Sequence, residues 1–125
     1  MANRIRITVG ATAVDAELRD NETARRIYEA LPLEASAGTW GDEIYFHIPV
    51  ECPREPDARA DVAVGDLGYW LAGSGFCVFY GRTPMSTGDD PVAASEVNVF
   101  GRLLGDPTVL RGTRSGTTVV IEKLA

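Results

Sequence analysis

The chain has 125 residues, 45% of them hydrophobic, and 12 Lys and Arg against 18 Asp and Glu give a formal net charge of −6. That length forms one domain, residues 1–125, with a core that needs no disulfide or metal staple, and the acidic balance argues against binding nucleic acid. No apolar run reaches the length of a membrane span, and two cysteines, Cys52 and Cys77, cannot alone build a disulfide framework or a four-ligand zinc site.

The first residues alternate at once and lack the apolar centre of a secretory signal, so a cytoplasmic location is expected. Ile5, Ile7 and Val9 alternate with Arg4, Arg6 and Thr8, the period of a half-buried strand. After Gly10–Thr12 a second alternation, Val14, Ala16 and Leu18, completes a hairpin. Asp20 and Asn21 can cap the segment Glu22–Leu31, whose Ala24, Ile27, Tyr28 and Leu31 fall on one helical face before Pro32 stops it. A short amphipathic helix of this kind is expected to cover one opening of a barrel.

Residues 33–41 read as a loop of small residues ending in Trp40–Gly41. Asp42–Val50 reads as a strand with Ile44, Phe46, Ile48 and Val50 on one face and Tyr45 and His47 on the other. Glu51–Arg59, with its prolines and charges, is a surface loop, and Asp61–Val64 restarts a strand. From Gly65 to Pro84 a Gly-Asp turn, an aromatic pair, a glycine-rich bend and the run Phe76–Tyr80 read as strand, bend and strand. The run is apolar on both faces, which suits a strand covered on both sides. Cys77 within it is a buried, inert thiol; Cys52, beside Pro53, is the more exposed of the two. Met85–Ser95 reads as a polar loop, Val97–Leu104 as a strand and Thr117–Leu124 as a β-branched terminal strand. For Thr108–Leu110 a helical turn and an extended piece remain equally open.

Five successive pieces carry a family resemblance. They are Ala30-Leu31-Pro32, Trp40-Gly41-Asp42-Glu43-Ile44-Tyr45-Phe46, Gly65-Asp66-Leu67-Gly68-Tyr69-Trp70, Phe79-Tyr80-Gly81-Arg82-Thr83-Pro84 and Asn98-Val99-Phe100-Gly101-Arg102. In this order they resemble the small prokaryotic cyclophilin-like proteins, the atypical cyclophilin-fold members of thermophilic bacteria among them. The resemblance implies a mainly β fold: a closed or slightly open antiparallel barrel of about eight strands, capped by one α-helix. It implies much less about function. True cyclophilins carry an arginine after Phe-His in an early strand and a Gln-Phe-Phe segment lining the pocket. Here Phe46-His47 is followed by Ile48, and no glutamine precedes Val78-Phe79-Tyr80.

The residues support a binding module first, with a shallow cleft for a peptide or small molecule lined by Tyr45, His47, Phe79, Arg82 and Asn98, and with Thr83 and Ser95 at its rim. Its alternative is a weak or specialised peptidyl-prolyl isomerase using Arg82 to polarise the prolyl nitrogen, and a third reading is a non-catalytic protein-interaction partner. Trp40 and Phe76 are expected in the core; Trp70 and Phe79 fit either core or cleft. No Gly-x-Ser-x-Gly elbow surrounds any serine, Gly73-Ser74-Gly75 precedes a strand where a phosphate loop needs a helix, and no metal-ligand spacing repeats. No cofactor or metal is therefore expected. A homodimer is compatible with an open barrel edge.

Overall fold

The computed structural model describes residues 2–124. Alternating apolar residues build a hairpin from β1 (Arg4–Val9) and β2 (Thr12–Leu18), whose Ile5, Ile7, Val9, Val14, Ala16 and Leu18 are all buried. The helix α1 (Glu22–Ala30) follows, with the Asn21 side chain accepting from the Ala24 amide at 2.9 Å. Ala24, Ile27 and Leu31 join the barrel core, and Tyr28 packs against it with the Lys123 ammonium 4.9 Å from its ring.

Two short strands come next, β3 (Leu33–Ser36) and β4 (Gly38–Thr39), and then β5 (Glu43–His47) and β6 (Arg59–Asp61). The stretch from Gly65 forms the hairpin of β7 (Asp66–Trp70) and β8 (Gly75–Phe79), paired from Leu67 opposite Val78 to Trp70 opposite Gly75. The long β9 (Val92–Leu103), a 3₁₀ turn (Pro107–Leu110) and β10 (Thr118–Lys123) complete the chain. Among the described residues no helix is long and apolar enough to cross a membrane.

All strand pairs are antiparallel, in the order β3-β10-β1-β2-β9-β7-β8-β5-β4, with β6 on β9 beside this path. The ladder does not close by strand pairing. Its two end strands, β3 and β4, are separated only by Ala37, so the chain itself joins the ends. Without the short β4 and β6, eight strands remain, as the resemblance implies. Inside, Phe76 stacks on Phe46 and meets Phe100 edge-on, each at 5.1 Å between ring centres.

Several local expectations are corrected. Residues 33–41 are not a loop: β3 pairs with the β-branched β10 and β4 with β5, so the partners impose extended backbone on a segment of weak strand pattern. The strand expected at Asp61–Val64 lies earlier, because a turn in which the Ala63 amide donates to the Asp66 carboxylate ends it. The strand expected from Val97 begins at Val92, where β6 pairs with it. The 85–91 loop is tied: the Thr83 hydroxyl donates to the Val92 carbonyl and the Ser86 hydroxyl to the Asp90 carbonyl. The undecided piece is the 3₁₀ turn, capped by the Asp106 carboxylate and anchored by buried Leu110.

Asn98 alternates with Val97 and Val99 and faces inward, fully buried beneath α1. Its carbonyl oxygen accepts from the Glu55 amide at 2.9 Å, and its NH2 donates to Thr23 Oγ1 at 3.0 Å and the Pro53 carbonyl at 2.9 Å. One side chain thus ties β9 to the helix and to the loop after β5. Asn98→Ala leaves these buried groups without partners and is expected to cost roughly 2–4 kcal/mol, measured by urea unfolding. An unchanged midpoint would refute the assignment.

Candidate functional site

The outer face of β8 carries Cys77 and Phe79, which would be exposed on a bare barrel. Instead they sit in a second apolar cluster with Val62, Ala93, Val97 and Val99, against which Trp70 packs. Towards β5 this cover stops short and leaves a hollow of about 200 Å³. Its base is formed by Cys77, Val97 and Ala93, and Ala94 lies at its edge. Around it stand Trp40 from the β4–β5 turn, Tyr45 and Glu43 from β5, and Trp70 from the end of β7.

Two glycines make room for two of these rings. A Cβ on Gly38 would come within 2.6 Å of the Tyr45 ring, and one on Gly73 within 2.3 Å of the Trp70 ring. The Trp70 indole N–H also donates to Ser95 Oγ at 2.6 Å. The His47 ring nitrogen Nδ1 donates to the Gly73 carbonyl at 3.1 Å, so β5 braces the turn on which Trp70 lies.

Glu43 is the one acid in this wall, and none of the lining side chains is basic. The residue is only 6% exposed, and its Oε1 is sealed from solvent without a hydrogen-bond partner. Burial pushes its carboxyl up to about 7, with the neighbouring Cys77 thiol pulling slightly the other way. Burial and the adjacent Glu43 both hold the Cys77 thiol well above its ordinary value, which makes it the inert thiol expected. Cys52 is half-buried, the more exposed of the two, but burial raises its thiol to about 11. Among the described residues no group of His, Cys, Asp and Glu side chains is arranged to hold a metal.

The residues expected to line one cleft are dispersed. Tyr45 is in the wall, and Ser95 acts on it through Trp70. Phe79 is fully buried in the cluster beneath, and His47 lies at the far end of β5. Arg82 is exposed and outside the wall; its carbonyl accepts from the Asp42 amide. Thr83 is buried and holds the 85–91 loop, and Asn98 faces inward under α1. Phe76 is core as expected, whereas Trp40 is half-buried in the pocket wall instead. Glu43 is not among the residues expected from the sequence to line a cleft, yet it stands in this wall. The available signal was its place, two residues before Tyr45, beside a strand whose outer face is apolar.

The cyclophilin-like family model matches residues 3–122. The chain belongs to the cyclophilin-like family. It is also similar to a hypothetical protein of Archaeoglobus fulgidus with a solution structure, at 38% identity and a TM-score of 0.82, covering 98% of this chain and 95% of that one. No curated protein matches the chain. In this cyclophilin-like barrel, Ile48, which follows Phe46-His47, is 1% exposed and lies in the core.

The raised Glu43 carboxyl makes stability depend on pH. From its ordinary value of 4.5 to about 7, the folded state binds more protons than the unfolded one, so this contribution falls as pH rises through that range. Glu43→Gln removes it. Relative to wild type, the variant is expected to gain up to roughly 3 kcal/mol between pH 5 and pH 8, measured by urea unfolding at both. A difference that does not change with pH would show that the carboxyl titrates normally.

Proposed function

We propose that this cyclophilin-like chain is a binding module whose ligand enters the hollow between Trp40, Tyr45 and Trp70. The observation that carries the reading is the pairing of apolar, aromatic walls with one buried carboxyl that lacks a partner. A few convergent polar groups in an apolar concavity are the usual make-up of a small-molecule site. At about 200 Å³ the hollow is smaller than the ~300–1,000 Å³ that takes a drug-sized ligand. It suits a head group or one side chain of a peptide.

The prolyl isomerase alternative draws less support. It needs a donor beside the proline pocket, and Arg82, the candidate donor, is not in the wall. The expected rate of prolyl isomerisation with this protein is the uncatalysed one.

Ligand-observed NMR against a library of small metabolites and short peptides tests the binding reading. Binders are expected to change the fluorescence of Trp40 and Trp70. Gly73→Ala, which displaces the Trp70 ring, should weaken them about tenfold or more, a loss of at least ~1.4 kcal/mol, whereas Arg82→Ala should leave them unchanged. Silence across the library at saturating concentrations would leave the protein-interaction reading in its place.

A further inference from the structure

Three aromatic rings and a carboxyl form the wall of the hollow, and each selects for the same kind of guest. The faces of Trp and Tyr rings carry negative charge density and attract cations, most strongly where water is excluded. The Glu43 carboxyl has only the weak Cys77 thiol donor beside it, and its sealed Oε1 has no hydrogen-bond partner among the described residues. None of the lining side chains is basic, so no internal cation competes for the site. The net charge of −6 adds a long-range attraction for cations. A neutral apolar guest would use the rings and leave the carboxyl unsatisfied. A metal ion would find a single carboxylate and little else to coordinate it.

On the reading that this hollow is the binding site, we propose that its guest is a small alkylammonium group: a protonated secondary or tertiary amine. Its N–H donates to the Glu43 carboxylate and its alkyl groups lie against Trp40, Tyr45 and Trp70. The requirement for a donor sets it apart from a quaternary ammonium, which the rings alone would accept. The volume limits the enclosed part to the head group, so the rest of the ligand extends into solvent. A free alkylamine and the methylated lysine side chain of a peptide present the same chemistry.

The amine stays protonated from pH 5.5 to 8, whereas Glu43 gains a proton as pH falls through about 7. The other ionisable groups near Glu43 are the Cys77 thiol from β8, the Tyr80 phenol just beyond it and the Tyr45 phenol from β5. Asp42, its sequence neighbour, lies 4.0 Å from the Arg111 guanidinium. Burial holds Cys77 and Tyr80 protonated over this range. Affinity should therefore weaken as pH drops, by roughly thirtyfold from pH 8 to pH 5.5, because the proton on Glu43 removes the anion.

The test uses N-methylpiperidine, the neutral cyclohexanol and the quaternary N,N-dimethylpiperidinium, titrated by tryptophan fluorescence and NMR at pH 8 and pH 5.5. N-methylpiperidine is expected to bind at pH 8 at least tenfold more tightly than cyclohexanol and more tightly than the quaternary ion. Glu43→Gln should lose that advantage while keeping cyclohexanol, which also verifies that its pocket is folded. Tyr45→Leu, at a residue 41% exposed, should weaken the amine severalfold and cyclohexanol less. A peptide bearing dimethyl-lysine, compared with its unmethylated form, separates the two sources of the group. Cyclohexanol matching the amine, or an amine affinity indifferent to pH and to Glu43→Gln, overturns the ammonium assignment and leaves the pocket reading standing. Binding by none of the probes overturns the ammonium assignment, and a silent library in addition overturns the pocket reading.

Discussion

The strand Gly75–Phe79 is buried along its whole length on both faces, and the molecule is arranged to keep it so. Its inner face sends Phe76 and Val78 into the barrel, where Phe76 sits between Phe46 and Phe100. Its outer face presents Cys77 and Phe79 where a barrel would ordinarily meet water. Burying a side chain such as Phe79 contributes about 1.5–3 kcal/mol, so a cover on that side is strongly favoured. Val62 after β6, Ala93, Val97 and Val99 from β9 and the Trp70 ring provide it. The hollow exists because this cover ends before it reaches β5. Cys77, one side chain of the two-sided strand, thus becomes part of the floor of the candidate site.

Four polar side chains are buried among the described residues: Thr23, Glu43, Thr83 and Asn98. Thr23 and Asn98 are bonded to each other and to the loop carrying Glu55, and Thr83 fastens the segment before β9. Each holds separate parts of the chain together and is satisfied in doing so. Among the described residues Glu43 alone retains a sealed oxygen with no partner, and it does so at the edge of the hollow. An unsatisfied buried group is costly to stability and is typical of a place where function overrides packing. The same barrel that hydrogen-bonds its other buried polar groups leaves this one open.

The sequence displayed the fold more fully than the site. The two-sided apolar run at Phe76–Tyr80, the N-cap at Asn21 and the alternations of β1 and β2 are local patterns, and the structure follows them. Leu33–Ser36 and Val92–Ser95 carry no such pattern; their extended form is imposed by β10 and β6, partners remote in sequence. The site failed to read for the same reason. Tyr45 was recognisable from its face of β5, but Phe79 shares an outward face that only the tertiary fold covers. Asn98 was expected in the cleft, although Val97 and Val99 on either side assign it to the opposite face. Glu43 falls in the alternation of Tyr45 and His47, which are exposed, and its burial comes from Cys77 and the aromatic wall.

The cyclophilin-like core and the candidate site are carried by different sides of the same strands. With a side-chain period of two, Ile44 and Phe46 on β5 face the core while Glu43 and Tyr45 face outward. On β8, Phe76 and Val78 fill the barrel while Cys77 and Phe79 serve the outer cluster. Substitutions on one face leave the packing of the other largely intact, so the barrel can persist while the chemistry outside it changes. Ile48 fits this division: directly after the exposed His47 it is buried in the core. The outer wall of the hollow carries one acid, Glu43, among aromatic rings. The interior therefore carries the barrel of the family, and the candidate site belongs to the outer face.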